Sequence, residues 1–133
     1  MAGLIFPTAS AVIALNEEVL GRPGALTDEG KLEGALYRAR MVERYQGGDV
    51  GLHAVYAIVG VALAHAFADG NKRTALYAAN LFLVRNGWQF PQGYDYLPLA
   101  RLIERYVEVD EALREGLLMD LATSILDGIV VKP

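Results

Sequence analysis

From Val50 to Ala68, nineteen consecutive residues carry no Asp, Glu, Lys or Arg. A stretch that long either crosses a bilayer or forms a helix enclosed on all sides by other helices. The flanks decide between these. His53, His65, Gly51 and Gly60 interrupt the stretch, no aromatic belt marks both its ends, and it runs straight into Asp69-Gly70-Asn71-Lys72-Arg73. These features favour a buried helix from about His53 to Phe67 and argue against a membrane span. A helix apolar all round needs apolar faces packed against it, and the rest of the chain must supply them.

It does so with helical spacing. Ser10 to Leu20 reads as a first helix, with Ala11, Val12, Leu15 and Val19 on one side, broken by Gly21-Arg22-Pro23-Gly24. Thr27 or Asp28 can cap a second, in which Leu32, Ala35, Leu36, Ala39 and Val42 recur, and Gln46-Gly47-Gly48-Asp49 reads as a turn. A helix from about Lys72 to Asn86 follows the central one, and Gly87 suits the left-handed position that ends it. Trp88 to Tyr96 reads as a loop with room for a short extended piece. Leu99, Leu102, Ile103, Tyr106 and Val107 mark a fifth helix. Asp110 heads a sixth, bearing Leu113, Leu117, Leu118, Leu121 and Ile125. No stretch alternates with period two, and no linker or repeat is visible. The expectation is an all-α fold, one compact domain over residues 1–133 built of about six helices.

Composition narrows the function. A formal net charge of -4, from 16 acids and 12 bases, gives no broad basic face for nucleic acid or anionic membrane. The absence of cysteine removes disulfides, thiol chemistry and Cys-based zinc sites. The first residues, MAGLIFPTAS, lack the basic region of a secretory signal, so a cytoplasmic location is expected.

The polar chemistry gathers in His65-Ala66-Phe67-Ala68-Asp69-Gly70-Asn71-Lys72-Arg73. Lys72 and Arg73 open a helix, where the helix dipole opposes each cation by about 0.3–1 kcal/mol. The same helix end presents free backbone N–H groups. Gly70 can take positive φ and curve those groups into an anion nest. Helix start, glycine turn and two cations together favour a phosphate. Asp69 is poorly suited to phosphate itself but suited to Mg²⁺ bridging to phosphate oxygens. His65 is the nearby side chain that titrates around neutrality, the natural general base for a hydroxyl nucleophile. Singly, each has a plain structural reading: a hydrogen-bonded histidine, a turn aspartate, an Asn71 N-cap, a solvated helix end. Phe67 is core in either case. Together they indicate a nucleotide or phosphate pocket with a base beside it. Elsewhere, His53 reads as a helix-start residue facing solvent or a neighbour, and Trp88 as a packing residue. Asn80 reads as a buried hydrogen-bonding residue, and Arg101, Glu104 and Arg105 as a solvated face.

The nonapeptide resembles the signature of the Fic/Doc family, and its Doc branch above all. The wider Fic pattern is H-P-F-x-D/E-G-N-G-R-x-x-R, and the Doc form is H-x-F-x-D-x-N-K-R. Ala66, Lys72 and Leu76 stand where Fic proteins have Pro, the second Gly and the second Arg, and all three departures point to Doc. The similarity extends over roughly Leu20 to Gly87. It takes in the glycine-rich loop at Gly21–Gly24 with the acidic helix after it, Thr74-Ala75-Leu76, and Leu81-Phe82-Leu83 through Asn86-Gly87.

The resemblance implies a six-helix fold and the toxin of a toxin–antitoxin pair. It implies a protein kinase that uses ATP and Mg²⁺ to phosphorylate a threonine of elongation factor Tu, held in check by an antitoxin of the Phd type. In that scheme the nucleotide lies reversed, with its γ-phosphate next to His65. His65 is then the base, Asp69 the Mg²⁺ ligand, Gly70, Asn71 and Lys72 the phosphate nest, and Lys72 and Arg73 the charge stabilisers. Fic relatives transfer AMP instead, which is the alternative activity. An inactive module that only binds antitoxin is a third reading. Near the C-terminus, Thr123-Ser124-Ile125-Leu126-Asp127-Gly128 has the spacing of the Fic inhibitory motif S/T-x-x-x-E-G/N, with Asp for Glu. A helix ending in a glycine at the position just past its last turn accounts for Asp127-Gly128 equally well.

Overall fold

The computed structural model describes residues 4–46 and 50–131. Among them lie six helices: α1 (Ala9–Leu20), α2 (Glu29–Gln46), α3 (Val50–Ala64), α4 (Asn71–Arg85), α5 (Leu97–Glu108) and α6 (Glu111–Gly128). The all-α expectation holds. The only sheet among the described residues is two short strands, β1 (Trp88–Gln89) and β2 (Val130–Val131), paired antiparallel with Trp88 opposite Val131. The expected turn at 47–49 lies outside the described residues, as does the burial of Val42.

α3 is the hub, packing against α2, α4, α5 and α6. Ala54, Val55, Ala57, Ile58, Val61 and Ala62 are buried around it, which is why its sequence shows no polar face. No helix among the described residues is long and apolar enough to cross a membrane. One continuous core joins Val12 of α1, Leu32 of α2, Phe82 of α4, Leu99 of α5 and Leu121 of α6 to it. Leu32, Ala35, Leu36 and Ala39 are buried as their spacing predicts, and so are Leu99 and Ile103, and Leu117, Leu121 and Ile125.

The caps fix where helices begin and end. The Thr8 hydroxyl accepts from the Ala11 N–H at 3.2 Å, and Gly21 (φ 70°) closes α1 in the left-handed region. Asp28 caps α2, its Oδ1 accepting from the Lys31 N–H at 3.1 Å. Thr27 has another use: its hydroxyl donates to the Ala66 oxygen at 2.9 Å. Gly87 follows α4 with φ 89°, as expected.

Several expectations need correction. α3 stops at Ala64, not Phe67, because the backbone of residues 66–68 turns aside to pair with the α1–α2 loop. The N–H groups of Thr27 and Asp28 both donate to the Ala66 oxygen, Ala68 N–H donates to the Ala25 oxygen, and Leu26 and Phe67 form an antiparallel bridge. α4 begins at Asn71 with Gly70 as its cap residue, so Asn71 is not the N-cap. Of the two surroundings open to His53, solvent or a neighbour, it has the second: it is buried edge-on to Phe6 at 6.3 Å. Leu113 is 62% exposed and lies off the core stripe. Gly128 is the last residue of α6, with Ile129 as its cap, rather than a glycine beyond the helix. Its hydrogen matters for packing, since a Cβ there would sit 2.7 Å from Cε1 of Tyr94.

Candidate active site

The end of α3, the loop after it and the start of α4 line one cleft of about 460 Å³. Its lining residues are Ala62, His65, Ala68, Asp69, Gly70, Asn71, Lys72 and Arg73, together with Glu104 of α5. Every residue singled out in the central stretch for phosphate chemistry therefore lies at one opening. Thr123 and Asp127 do not line it.

His65 follows the last residue of α3 with φ 49°, the one non-glycine residue at positive φ among those described. Such a conformation costs of order 1–3 kcal/mol and persists only when neighbours impose it. Here they do, because the strand-like pairing of residues 66–68 with 25–28 fixes the chain just beyond it. The side chain is left exposed at the cleft.

Gly70 has φ 77° and caps α4 without any side-chain hydrogen bond. The N–H groups of the first turn, from Asn71 to Arg73, therefore have no helical acceptor and no capping side chain. A side chain at Gly70 would also approach Cδ2 of Leu20 at 3.1 Å, so both conformation and space require glycine. Lys72 and Arg73 add positive charge beside these donors. Uncapped N–H donors beside two cations are an arrangement suited to an anion.

Asn71 is committed elsewhere. Its Oδ1 accepts from the Phe67 N–H at 3.1 Å and its Nδ2 donates to the Phe67 oxygen at 2.8 Å. The side chain thus staples the loop shut on itself, and the Asn71 backbone N–H stays open to a ligand.

Asp69 keeps Oδ1 on the Gly70 N–H at 2.8 Å, while Oδ2 lies 3.8 Å from Arg22, with both side chains more than half exposed. An exposed pair of this kind is screened and adds little stability. The carboxylate remains available to a cation. Glu104 is a second carboxylate in the same cleft, so a Mg²⁺ ion completing its shell with water and phosphate oxygens fits this donor set. No cluster of three or more His, Cys, Asp or Glu occurs among the described residues.

Three participants were not read from the sequence. Glu104, assigned to a solvated face, lines the cleft. Glu108 stands 3.9 Å from the Lys72 ammonium. The two acids lie at i and i+4 on α5, a like-charge repeat that is unfavourable unless cations face it; with Lys72 and Arg73 nearby, that repeat was the signal. The third is Asn16, buried on α1, whose Nδ2 donates to the Asp69 backbone oxygen at 3.1 Å and to the Thr74 hydroxyl at 3.0 Å.

Residues 6–83 match the model of the Fic/DOC family, more than half of the chain. The chain belongs to the Fic/Doc family. A curated relative, the protein kinase doc of Escherichia phage P1, is 38% identical over 82 residues, covering 59% of this chain and 65% of the relative. The match thus spans a little under two thirds of that kinase. In this Fic/Doc chain, the matched region contains the whole cleft except Glu104 of α5.

Proposed function

We propose that the chain is a protein kinase of the Doc type, transferring the γ-phosphate of ATP to a threonine hydroxyl of a protein. The observation that carries this reading is the cleft itself. Its lining includes both His65 and the start of α4, a helix N-terminus without a side-chain cap that bears Lys72 and Arg73, and this supports the reading. The activity named for the phage relative, a protein kinase, supports the kinase reading, and so does Lys72 at the position where it would add charge to the nest.

The chemistry divides as follows. His65 takes the proton from the threonine hydroxyl. The freed oxygen attacks the γ-phosphorus, the bond to the β–γ bridging oxygen breaks, and ADP leaves with that electron pair. The N–H groups of Asn71, Lys72 and Arg73 hold phosphate oxygens in line, and the Lys72 and Arg73 side chains stabilise the charge that spreads over them. Asp69, with Glu104 beside it, would hold Mg²⁺, which neutralises phosphate charge when bound. Asn71 keeps the loop in register through Phe67.

By the family resemblance, the target to test first is elongation factor Tu. The same resemblance makes the chain a translation-inhibiting toxin that acts in the cytoplasm and is neutralised by a Phd-type antitoxin. The deciding experiment incubates the protein with Mg²⁺, elongation factor Tu and ATP labelled on either the γ- or the α-phosphate. Label should pass from the γ position only and vanish with His65→Ala. Label from the α position would make the chain a nucleotidyl transferase. Binding of Mg²⁺–ATP with no transfer to any protein would make it an inactive module.

A further inference from the structure

Two ion pairs occur among the described residues, Arg22 with Asp69 at 3.8 Å and Lys72 with Glu108 at 3.9 Å. Each joins a residue that lines the cleft to one that does not. The cleft therefore carries its own counter-ions, and a charged ligand must exchange with them. The exchange at Asp69 is the more informative, because a cation and an anion both bear on it.

Asp69 has one carboxylate oxygen in use. Oδ1 accepts from the Gly70 N–H at 2.8 Å, and Arg22 faces the other, Oδ2. At 3.8 Å the guanidinium is drawn to that oxygen by charge but lies beyond hydrogen-bond length. Both side chains are more than half exposed, so the pair is weak and breaks easily. Arg22 is not needed to hold the loop. The Asp69 backbone oxygen is tied to Asn16 at 3.1 Å, Asn71 closes the turn on Phe67, and the Ala68 N–H donates to the Ala25 oxygen at 2.7 Å.

The backbone around Arg22 is fixed as well. Its N–H donates to the Glu17 oxygen at 3.2 Å, Pro23 follows, and the Ala25 oxygen is already bound to Ala68. What can swing is the side chain. A guanidinium suits that task, being always charged, with a fork of donors that matches phosphate as well as carboxylate.

We infer that Arg22 and a divalent cation exchange on Oδ2 of Asp69, and that the displaced guanidinium turns to the phosphate oxygens that arrive with the cation. The inference rests on the phosphate reading of the cleft. It makes the binding of cation and polyphosphate mutually dependent. A cation alone must break the Arg22 pair and gives Arg22 nothing in return. A polyphosphate alone meets a guanidinium still shared with Asp69. The two together satisfy both Asp69 and Arg22.

The test measures the ligands separately and together in the unmodified chain, Arg22→Gln and Arg22→Lys, with thermal unfolding confirming that each is folded. Mn²⁺, which takes the same oxygen ligands as Mg²⁺, is titrated alone and followed by the electron paramagnetic resonance of the free ion. Inorganic tripolyphosphate is titrated by calorimetry in the presence of Mg²⁺. Arg22→Gln should bind Mn²⁺ alone roughly two- to fivefold more tightly, the range for losing an exposed ion pair. It should bind tripolyphosphate with Mg²⁺ roughly fivefold more weakly or worse, through loss of a charge-assisted contact. Arg22→Lys, which keeps the charge, should move both affinities back toward those of the unmodified chain. Adding Asp69→Asn to Arg22→Gln should abolish the gain for Mn²⁺. Mn²⁺ bound no more tightly by Arg22→Gln overturns the exchange, and weaker Mn²⁺ binding would give Arg22 the opposite task of holding Asp69 in place. Unmoved tripolyphosphate binding in Arg22→Gln overturns the turn toward phosphate while the phosphate cleft stands. No binding of tripolyphosphate by the unmodified chain overturns both readings.

Discussion

The Asn16 side chain, buried on α1, donates to the hydroxyl of Thr74, buried on α4, at 3.0 Å. The same amide nitrogen donates to the backbone oxygen of Asp69 at 3.1 Å. One side chain therefore ties the first helix to both the loop at Asp69 and the first turn of α4. Asn16→Leu leaves the Thr74 hydroxyl and the Asp69 oxygen without this donor, and a buried polar group stripped of its partner costs about 1–3 kcal/mol. Urea denaturation should show a loss of that size. Transfer should fall beyond what the folded fraction explains, because the loop that carries Asp69 loses its anchor.

His65 offers the opposite combination of stability and activity. Its left-handed backbone is strained for histidine and not for glycine. His65→Gly should unfold at a temperature no lower than the unmodified chain, while the proposed phosphoryl transfer should drop by about 10²-fold or more with loss of the proposed base. A clear drop in melting temperature would mean that the side chain holds the loop together.

How much of this could be read from the sequence follows from which interactions are local. The apolar periods of α2 and α5 and the glycine stops at Gly21 and Gly87 are set by neighbours a few residues away, and they are where the pattern places them. The residues of the central stretch were legible as a group for the same reason. The end of α3 was not, because Ala66 and Phe67 remain apolar whether helical or paired to Thr27 and Leu26, some forty residues earlier in the chain. Asn16, Glu104 and Glu108 were missed because each meets the motif only through tertiary packing. Asn16 is 53 residues from its Asp69 partner. β2 escaped because two exposed valines alternate with nothing.

The carboxylates in the cleft predict a dependence on divalent cation. Asp69 and Glu104 repel a phosphate unless a cation lies between them. Tripolyphosphate affinity should fall when EDTA removes Mg²⁺. The difference between the two conditions should shrink in Asp69→Asn and shrink less in Glu104→Gln, read by calorimetry. An equal response to EDTA in all three proteins would remove the carboxylates from metal binding.

Lys72 and Glu108 stand 3.9 Å apart with side chains 42% and 71% exposed. A pair so open to water contributes less than about 1 kcal/mol. Glu108→Gln should therefore leave the unfolding midpoint nearly unchanged. It should tighten tripolyphosphate binding, because Lys72 loses a competitor for its charge, and the gain should disappear at high salt as screening grows.

Gly128 tests the contact where α6 meets the aromatic cluster. A methyl group there would lie 2.7 Å from Cε1 and 3.0 Å from the hydroxyl of Tyr94. The Tyr94 ring has little freedom to retreat, lying 4.5 Å from Phe90 and 4.9 Å from Tyr96. Alanine is the better helix former by about 1 kcal/mol, so propensity alone would make Gly128→Ala stabilising. Overpacking costs about 1–3 kcal/mol and should win. The double-mutant cycle separates the two effects: Gly128→Ala should destabilise the unmodified chain and stabilise a Tyr94→Ala background.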